Sequence, residues 1–251
     1  MKHYTPAMAR SRVTVFTGNF GSGKTEVAVN FTLLLAAQET GVRIADLDIV
    51  NPYFRCREAS GLMEKAGVEV IAPAGGWKHA DLPIILPQIK GMVESKQNRT
   101  VLDVGGDPVG ARILGSLAGS FVEDELDLIV VLNGNRPFTD TVDGACKMIE
   151  DIQEASRLSV TGLVGNTHLM ESTTSDVIRK GEDLLLEVSG KLGLPVRFVT
   201  VGKGLLAGWS GSPPRAPVLA LTRHMMPPWI ESEKQGSEVF KNRDGSTAAR
   251  R

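Results

Sequence analysis

The chain is poor in the residues that build covalent or metal scaffolds. It has 2 cysteines and 4 histidines in 251 residues. No C-x-C or C-x-x-C occurs, so a disulfide framework, a structural zinc and a Cys-ligated cluster are not expected. Long apolar runs are also missing. The longest, Phe31–Ala37 (broken by Thr32) and Leu128–Leu132, fall far short of the roughly 20 residues a membrane helix needs. The basic start MKHYTPAMARSR leads into no apolar stretch, so no signal peptide is expected. Nor is there an excess of charge of one sign. Lys+Arg number 28 and Asp+Glu 29, a net charge of −1. That leaves no basic field for nucleic acid and no acidic excess pointing to disorder. A soluble cytoplasmic protein is expected, with neither a membrane nor a nucleic acid as partner. Aromatics are scarce, at 5%.

Apolar residues make up 42% of the chain, enough for one sizeable core. Glycine is in excess, 27 of 251 residues, or about 11% against a usual ~7%. There is no Gly-X-Y period, so the glycines must serve turns and close backbone approaches.

Apolar runs alternate with helical patterns. Strands are expected at Val13–Gly18, Arg43–Val50, Val68–Ala72, Thr100–Val104, Leu126–Leu132, Val160–Val164 and Val196–Val201. Helices are expected at Lys24–Thr40, Arg57–Lys65, Leu82–Lys96, Ala111–Phe121, Thr139–Arg157 and Ser175–Leu192, with a kink or restart at Pro87. The strands are apolar throughout, as in a parallel sheet covered on both faces. The expected fold is α/β, with three layers and a mainly parallel sheet of about seven strands. Val218–Leu221 reads as a short extra strand or a helical turn. Residues 1–12 read as a loose lead-in, 13–230 as the domain, and 231–251 as a polar, disordered tail.

Gly18-Asn19-Phe20-Gly21-Ser22-Gly23-Lys24-Thr25 fits G-x-x-x-x-G-K-[ST] and falls between a strand and a helix, where a phosphate-binding P-loop belongs. Its glycines let backbone N–H groups curl around a phosphate. Lys24 reaches the β- and γ-phosphates, and Thr25 offers its hydroxyl to Mg²⁺. Glu26, which follows, is included among the nucleotide-contacting positions. Two acidic strand ends complete the pattern. Asp103, before Gly105-Gly106, sits where ligands bind in open α/β sheets and is the expected carboxylate behind Mg²⁺. Asp46 and Asp48 lie two apart and point to one side. One of them can hold metal-bound water while the other polarises an attacking water.

Together these residues resemble the MinD/ParA-type ATPases of the P-loop superfamily, over roughly residues 13–202. The resemblance implies a fold of the P-loop NTPase class, ATP and Mg²⁺ as cofactors, and slow ATP hydrolysis that drives a switch acting on a partner protein. It makes Lys24 and Asp48 catalytic, with Asp48 the switch I aspartate that orients water. It makes Thr25, Asp48 and Asp103 the metal-holding set, and Gly105 and Gly106 the γ-phosphate sensor. Asn166 matches the asparagine that reads adenine. The chain continues Thr167-His168-Leu169 in place of N-K-x-D, which favours ATP over GTP. The signature lysine of the family falls at Asn19, which puts a nucleotide-sandwich homodimer in question. Arg55, Arg57 and Arg136 are substitute cations. Two other readings are open: an ATP-dependent small-molecule ligase or kinase of the dethiobiotin synthetase type, and a nucleotide-dependent adaptor that does not hydrolyse.

Other residues are weighed individually. Cys146 reads as a buried, inert thiol, and Cys56 is more open to a redox or metal role. Tyr53-Phe54 and Trp77-Lys78-His79 fall on the ligand side and suit a partner or substrate surface. Asn133–Pro137, ending the fifth strand, borders the nucleotide or a dimer face.

Overall fold

The computed structural model describes residues 1–9, 11–48, 56–71 and 82–225, the side chains of 57 and 82–86 apart. The readings placed on Val50, on Tyr53-Phe54 and Arg55, on Trp77-Lys78-His79 and on 231–251 therefore lie outside the described residues. So does the side chain of Arg57.

Eight strands form one sheet: β1 Val13–Thr17, β2 Val42–Asp46, β3 Glu69–Ile71, β4 Arg99–Asp103, β5 Leu126–Leu132, β6 Gly162–Gly165, β7 Val196–Gly202 and β8 Val218–Leu221. Their order is β3-β2-β4-β1-β5-β6-β7-β8, and every ladder is parallel. The count exceeds seven because Val218–Leu221 pairs with β7 as a strand. The helices are α1 Lys24–Ala36, α2 Ser60–Lys65, α3 Leu82–Glu94, α4 Pro108–Leu117, α5 Val142–Ser156, α6 Ser175–Leu192 and α7 Lys203–Ala207.

Apolar side chains alternate between the two sheet faces, as a period of two demands. Val13 and Val15 of β1, with Leu128 and Val130 of β5, join Leu114 of α4 and Ile149 of α5 in one core. Phe16, Ile129 and Val131 turn the other way, onto Val27, Phe31 and Leu35 of α1 and Met63 of α2. Four aromatics, Tyr4, Phe16, Phe31 and Phe198, meet here. Phe16 lies edge-on to Phe31 at 5.0 Å, and Tyr4 lies 4.5 Å from Phe198.

Three local expectations change. The lead-in is docked rather than loose: Tyr4 N–H donates to Val218 C=O at 2.8 Å and Tyr4 is buried. It covers the β8 edge that would otherwise present unpaired groups. α3 continues through Pro87 rather than restarting; Ile89, Met92 and Val93 just beyond it are buried, and that packing offsets the hydrogen bond proline removes. α4 begins three residues earlier than read, because the Asp107 carboxylate caps Val109 and Gly110 N–H and Pro108 suits a first turn.

Candidate functional site

Gly18–Gly23 links the C-terminal end of β1 to α1, at the sheet edge where open α/β folds take their ligands. Gly23 is the N-cap of α1, with φ 77°, and no side chain caps the helix. The first N–H groups of a 13-residue helix are thus left to an anion. A side chain at position 23 would be strained in φ and would collide with the Asn166 amide, 2.2 Å from its Cβ. Gly106 is needed for a second close approach, since a Cβ there would lie 2.3 Å from Gly18 O. The strand end after Asp103 is therefore packed directly against the P-loop.

Acids converge on Lys24 from β2 and β4. Asp46 ends β2 and pairs in register with Asp103 of β4. Asp48 lies just past the end of β2; its N–H donates to Asp46 Oδ1 at 3.1 Å. Lys24 Nζ lies 2.6 Å from Asp48 Oδ2, and both side chains are buried. Burial alone would lower the Lys24 pKa, but Asp48, Asp103 and Asp46 together hold it raised, so the ammonium stays charged. Asp103 is fully buried. Desolvation pushes its pKa up to about 7, with Asp46 and Asp48 adding to the rise and Lys24 and the Thr25 hydroxyl opposing it. The Thr25 hydroxyl bears on Asp103 as a donor, but no well-directed hydrogen bond reaches either Asp103 oxygen or Ser22 Oγ.

A buried carboxylate so poorly served by donors is costly. Beside the Thr25 hydroxyl it fits a divalent cation that draws its other ligands from phosphate and water, as Mg²⁺ does. Among the described residues no three His, Cys, Asp or Glu side chains form a complete metal centre by themselves.

On the other flank the P-loop is held by side-chain amides and the Arg136 guanidinium. Asn166 Nδ2 donates to Ser22 C=O at 2.7 Å, and its Oδ1 accepts from the Thr200 hydroxyl. The peptide plane is rigid, so pinning Ser22 C=O outward turns Gly23 N–H the opposite way. Asn133 Nδ2 and Arg136 Nε both donate to Gly21 C=O, at 3.3 and 3.1 Å. Asn133 is itself fixed by the Thr139 hydroxyl on its carbonyl at 2.9 Å. Asn19 Nδ2 turns back on Pro137 C=O at 3.1 Å. His168 lies beside Gly23; burial first, then Arg136 and Arg223, lower its pKa.

The structure brings together Gly18, Ser22, Gly23, Lys24, Thr25, Asp48, Asp103, Gly106 and Asn166. Phe20 is apart, 72% exposed at the loop tip. The Glu26 side chain also faces elsewhere. Its carboxylate accepts His224 and Met225 N–H at 2.8 and 2.9 Å, so only its backbone is left for a nucleotide. Asn30, one turn on, exchanges two hydrogen bonds of 2.8 Å with the Thr222 backbone. These contacts strap the segment after β8 across the start of the P-loop helix.

Sequence reading missed the strap, the Thr200 hydroxyl and the brace from Arg136. The asparagine-bearing strand end at Asn133 was the available signal for the brace. Cys56 and Cys146 are buried. No described helix is long and apolar enough to cross a membrane.

No protein-family profile matches the chain, and no curated protein matches it. Solved structures do. The FtsY cell division protein of Thermotoga maritima has a TM-score of 0.56 at 17% identity, over 76% of this chain and 61% of that one. The signal recognition particle receptor FtsY of Elizabethkingia anophelis, in complex with GDP, has 0.52 at 17%, over 77% and 58%. Chloroplast FtsY of Physcomitrella patens has 0.50 at 17%, over 81% and 64%. The chain spans about three fifths of the length of these structures. At such identity the likeness is one of fold, and the fold is that of the P-loop NTPases.

Proposed function

We propose that the chain is a Mg²⁺-dependent ATP-binding protein and slow ATPase, related to the MinD/ParA type but without its signature lysine, whose nucleotide state acts on a partner protein. The observation that carries the reading is the buried Lys24–Asp48 pair beside Asp103, set directly behind a P-loop whose helix N-terminus is uncapped.

Lys24 and the N–H groups of α1 receive the phosphate oxygens. Thr25 and Asp103 hold Mg²⁺, which neutralises charge on the phosphates when bound. A phosphate at Lys24 competes with Asp48 for the same ammonium. Asp48 is then released to orient a water. Gly106, packed on Gly18, carries the same event to the start of α4. The output is conformational and the chemistry is positioning. The missing N-K-x-D supports adenine over guanine. Because both amide atoms of Asn166 are engaged within the protein, its part in base choice is to set the loop beside the base. Any homodimer would lack the cross-subunit lysine, since Asn19 is tied to Pro137.

Phosphate release and nucleotide binding test this on wild type and Asp48→Ala. The variant is expected to bind ATP and to lose phosphate release by about 10²-fold or more. Unchanged release removes the water-orienting role. GTP binding as tight as ATP overturns the base preference. Turnover that rises steeply only with an added organic acceptor moves the reading to a ligase or kinase.

A further inference from the structure

A cleft of about 330 Å³ opens between α4 and α5, beside the P-loop tip. Pro108, Ala111, Met148 and Ile152 give it apolar walls, and its mouth reaches Asn19 and Gly106. Phe138 stands at the rim, 77% exposed. It is also held at φ +69°, a conformation costly for a bulky residue. Neighbouring contacts hold it there. Thr139 is buried and hydrogen-bonded to Asn133 and Arg136 C=O, and Gly144 packs so close that a Cβ would lie 2.4 Å from Phe138 O. The fold thus spends backbone strain to present an apolar ring to water. Phe20, 72% exposed, stands on the adjacent P-loop tip. Two of the described phenylalanines are thus displayed at the phosphate end, and exposed aromatics of this kind anchor protein interfaces.

Charge narrows the occupant. Among the described residues Lys147 is the only base on the cleft wall, and it is already paired with Asp151 at 2.5 Å. Glu150 and Glu154 of the same helix add to the negative field that raises its pKa. Asp107 is a second acid on the wall.

We propose that this cleft docks a partner protein through an apolar side chain carried on a basic segment. The proposal rests on the partner-switch reading for its nucleotide dependence, because Gly106 and Asp107 belong to both the cleft and the γ-phosphate side of the P-loop. The docking surface itself rests only on the cleft, the two rings and the charge.

The test places the photo-crosslinker p-benzoylphenylalanine at Met148 on the cleft wall, or at Lys180 on the exposed face of α6, in the full chain within its own cells. The expected result is a crosslink from position 148 and not from 180. It should reach a peptide with Lys or Arg beside the attached apolar residue, and be lost when Ala111→Trp fills the cleft or Asp151→Lys reverses its charge. With ATP in place of ADP, purified components should give about fivefold more of it. No crosslink, an equal crosslink from 180, an acidic peptide, or attachment to a second copy of this chain overturns the docking surface. The expected crosslink at equal strength with ATP and ADP upholds the surface and overturns the switch. ATP titration of the same proteins reports nucleotide binding separately.

Discussion

On the β2–β4 flank of the P-loop, Asp46, Asp48 and Asp103 gather around one buried lysine, and no well-directed hydrogen bond reaches Asp103. On the β5–β7 flank, Asn133, Asn166, Thr139 and Thr200 are joined to one another or to loop carbonyls by donor–acceptor pairs. One flank carries an unmet electrostatic demand and the other has met its demands internally. A site that must change partners when a ligand arrives keeps charges that the ligand can pair anew. A site that must hold a loop still satisfies its amides in advance. Stability and activity should therefore separate across the loop.

The largest effect belongs to the charged flank. Lys24→Ala leaves Asp48 buried without its cation, and loss of about 3–5 kcal/mol is expected in denaturant unfolding, together with loss of ATP binding. A variant as stable as wild type would mean the pair is not buried as described. Next, Asn166→Ala strips Ser22 C=O and the Thr200 hydroxyl of their partner, at about 1–3 kcal/mol. Nucleotide affinity should fall with it. If affinity falls while stability holds, Asn166 acts on the base and not on the loop. Glu26→Ala frees the strap, and a similar loss is expected, with faster proteolysis after β8 than in wild type. Asp103→Asn should do the reverse. It removes a buried charge whose pKa is already pushed up to about 7, so unfolding stability should hold or rise by about 1 kcal/mol while Mg²⁺-dependent turnover collapses. A clear loss of stability there would break the contrast between the flanks.

The smallest effect is in pH. His168 is held below its usual value by burial and by Arg136 and Arg223. Near pH 6.5 the unfolded chain takes up a proton that the folded chain refuses until lower pH. Its contribution is therefore complete above about pH 6.5 and is lost as pH falls through the folded value. His168→Gln should flatten that part of the stability profile, and an unchanged profile would place the titration elsewhere.

The acidic flank was legible in the sequence because its residues end apolar strands, and strand ends of a parallel sheet share one edge. Lys24, Thr25, Asp48 and Asp103 could be placed from spacing alone. The amide flank was only half legible. Asn133 and Asn166 were visible as strand ends, but their partners lie far off in sequence: Gly21 and Ser22 C=O, whose motif does not say what holds them, and the Thr200 hydroxyl, which lies in no motif. The partners of the Glu26 side chain were hidden for the same reason. It follows the P-loop threonine, yet its carboxylate faces His224 and Met225, which only the curl of the sheet around α1 brings near. The docked lead-in escaped because Tyr4 pairs with Val218, at the other end of the chain.

Calorimetric titration of the wild-type chain with ATP, in Mg²⁺ and in EDTA, tests the central claim most directly. ATP should bind, and Mg²⁺ should tighten it by completing the coordination that Asp103 and Thr25 begin. No binding, or the same affinity with and without Mg²⁺, would contradict the account.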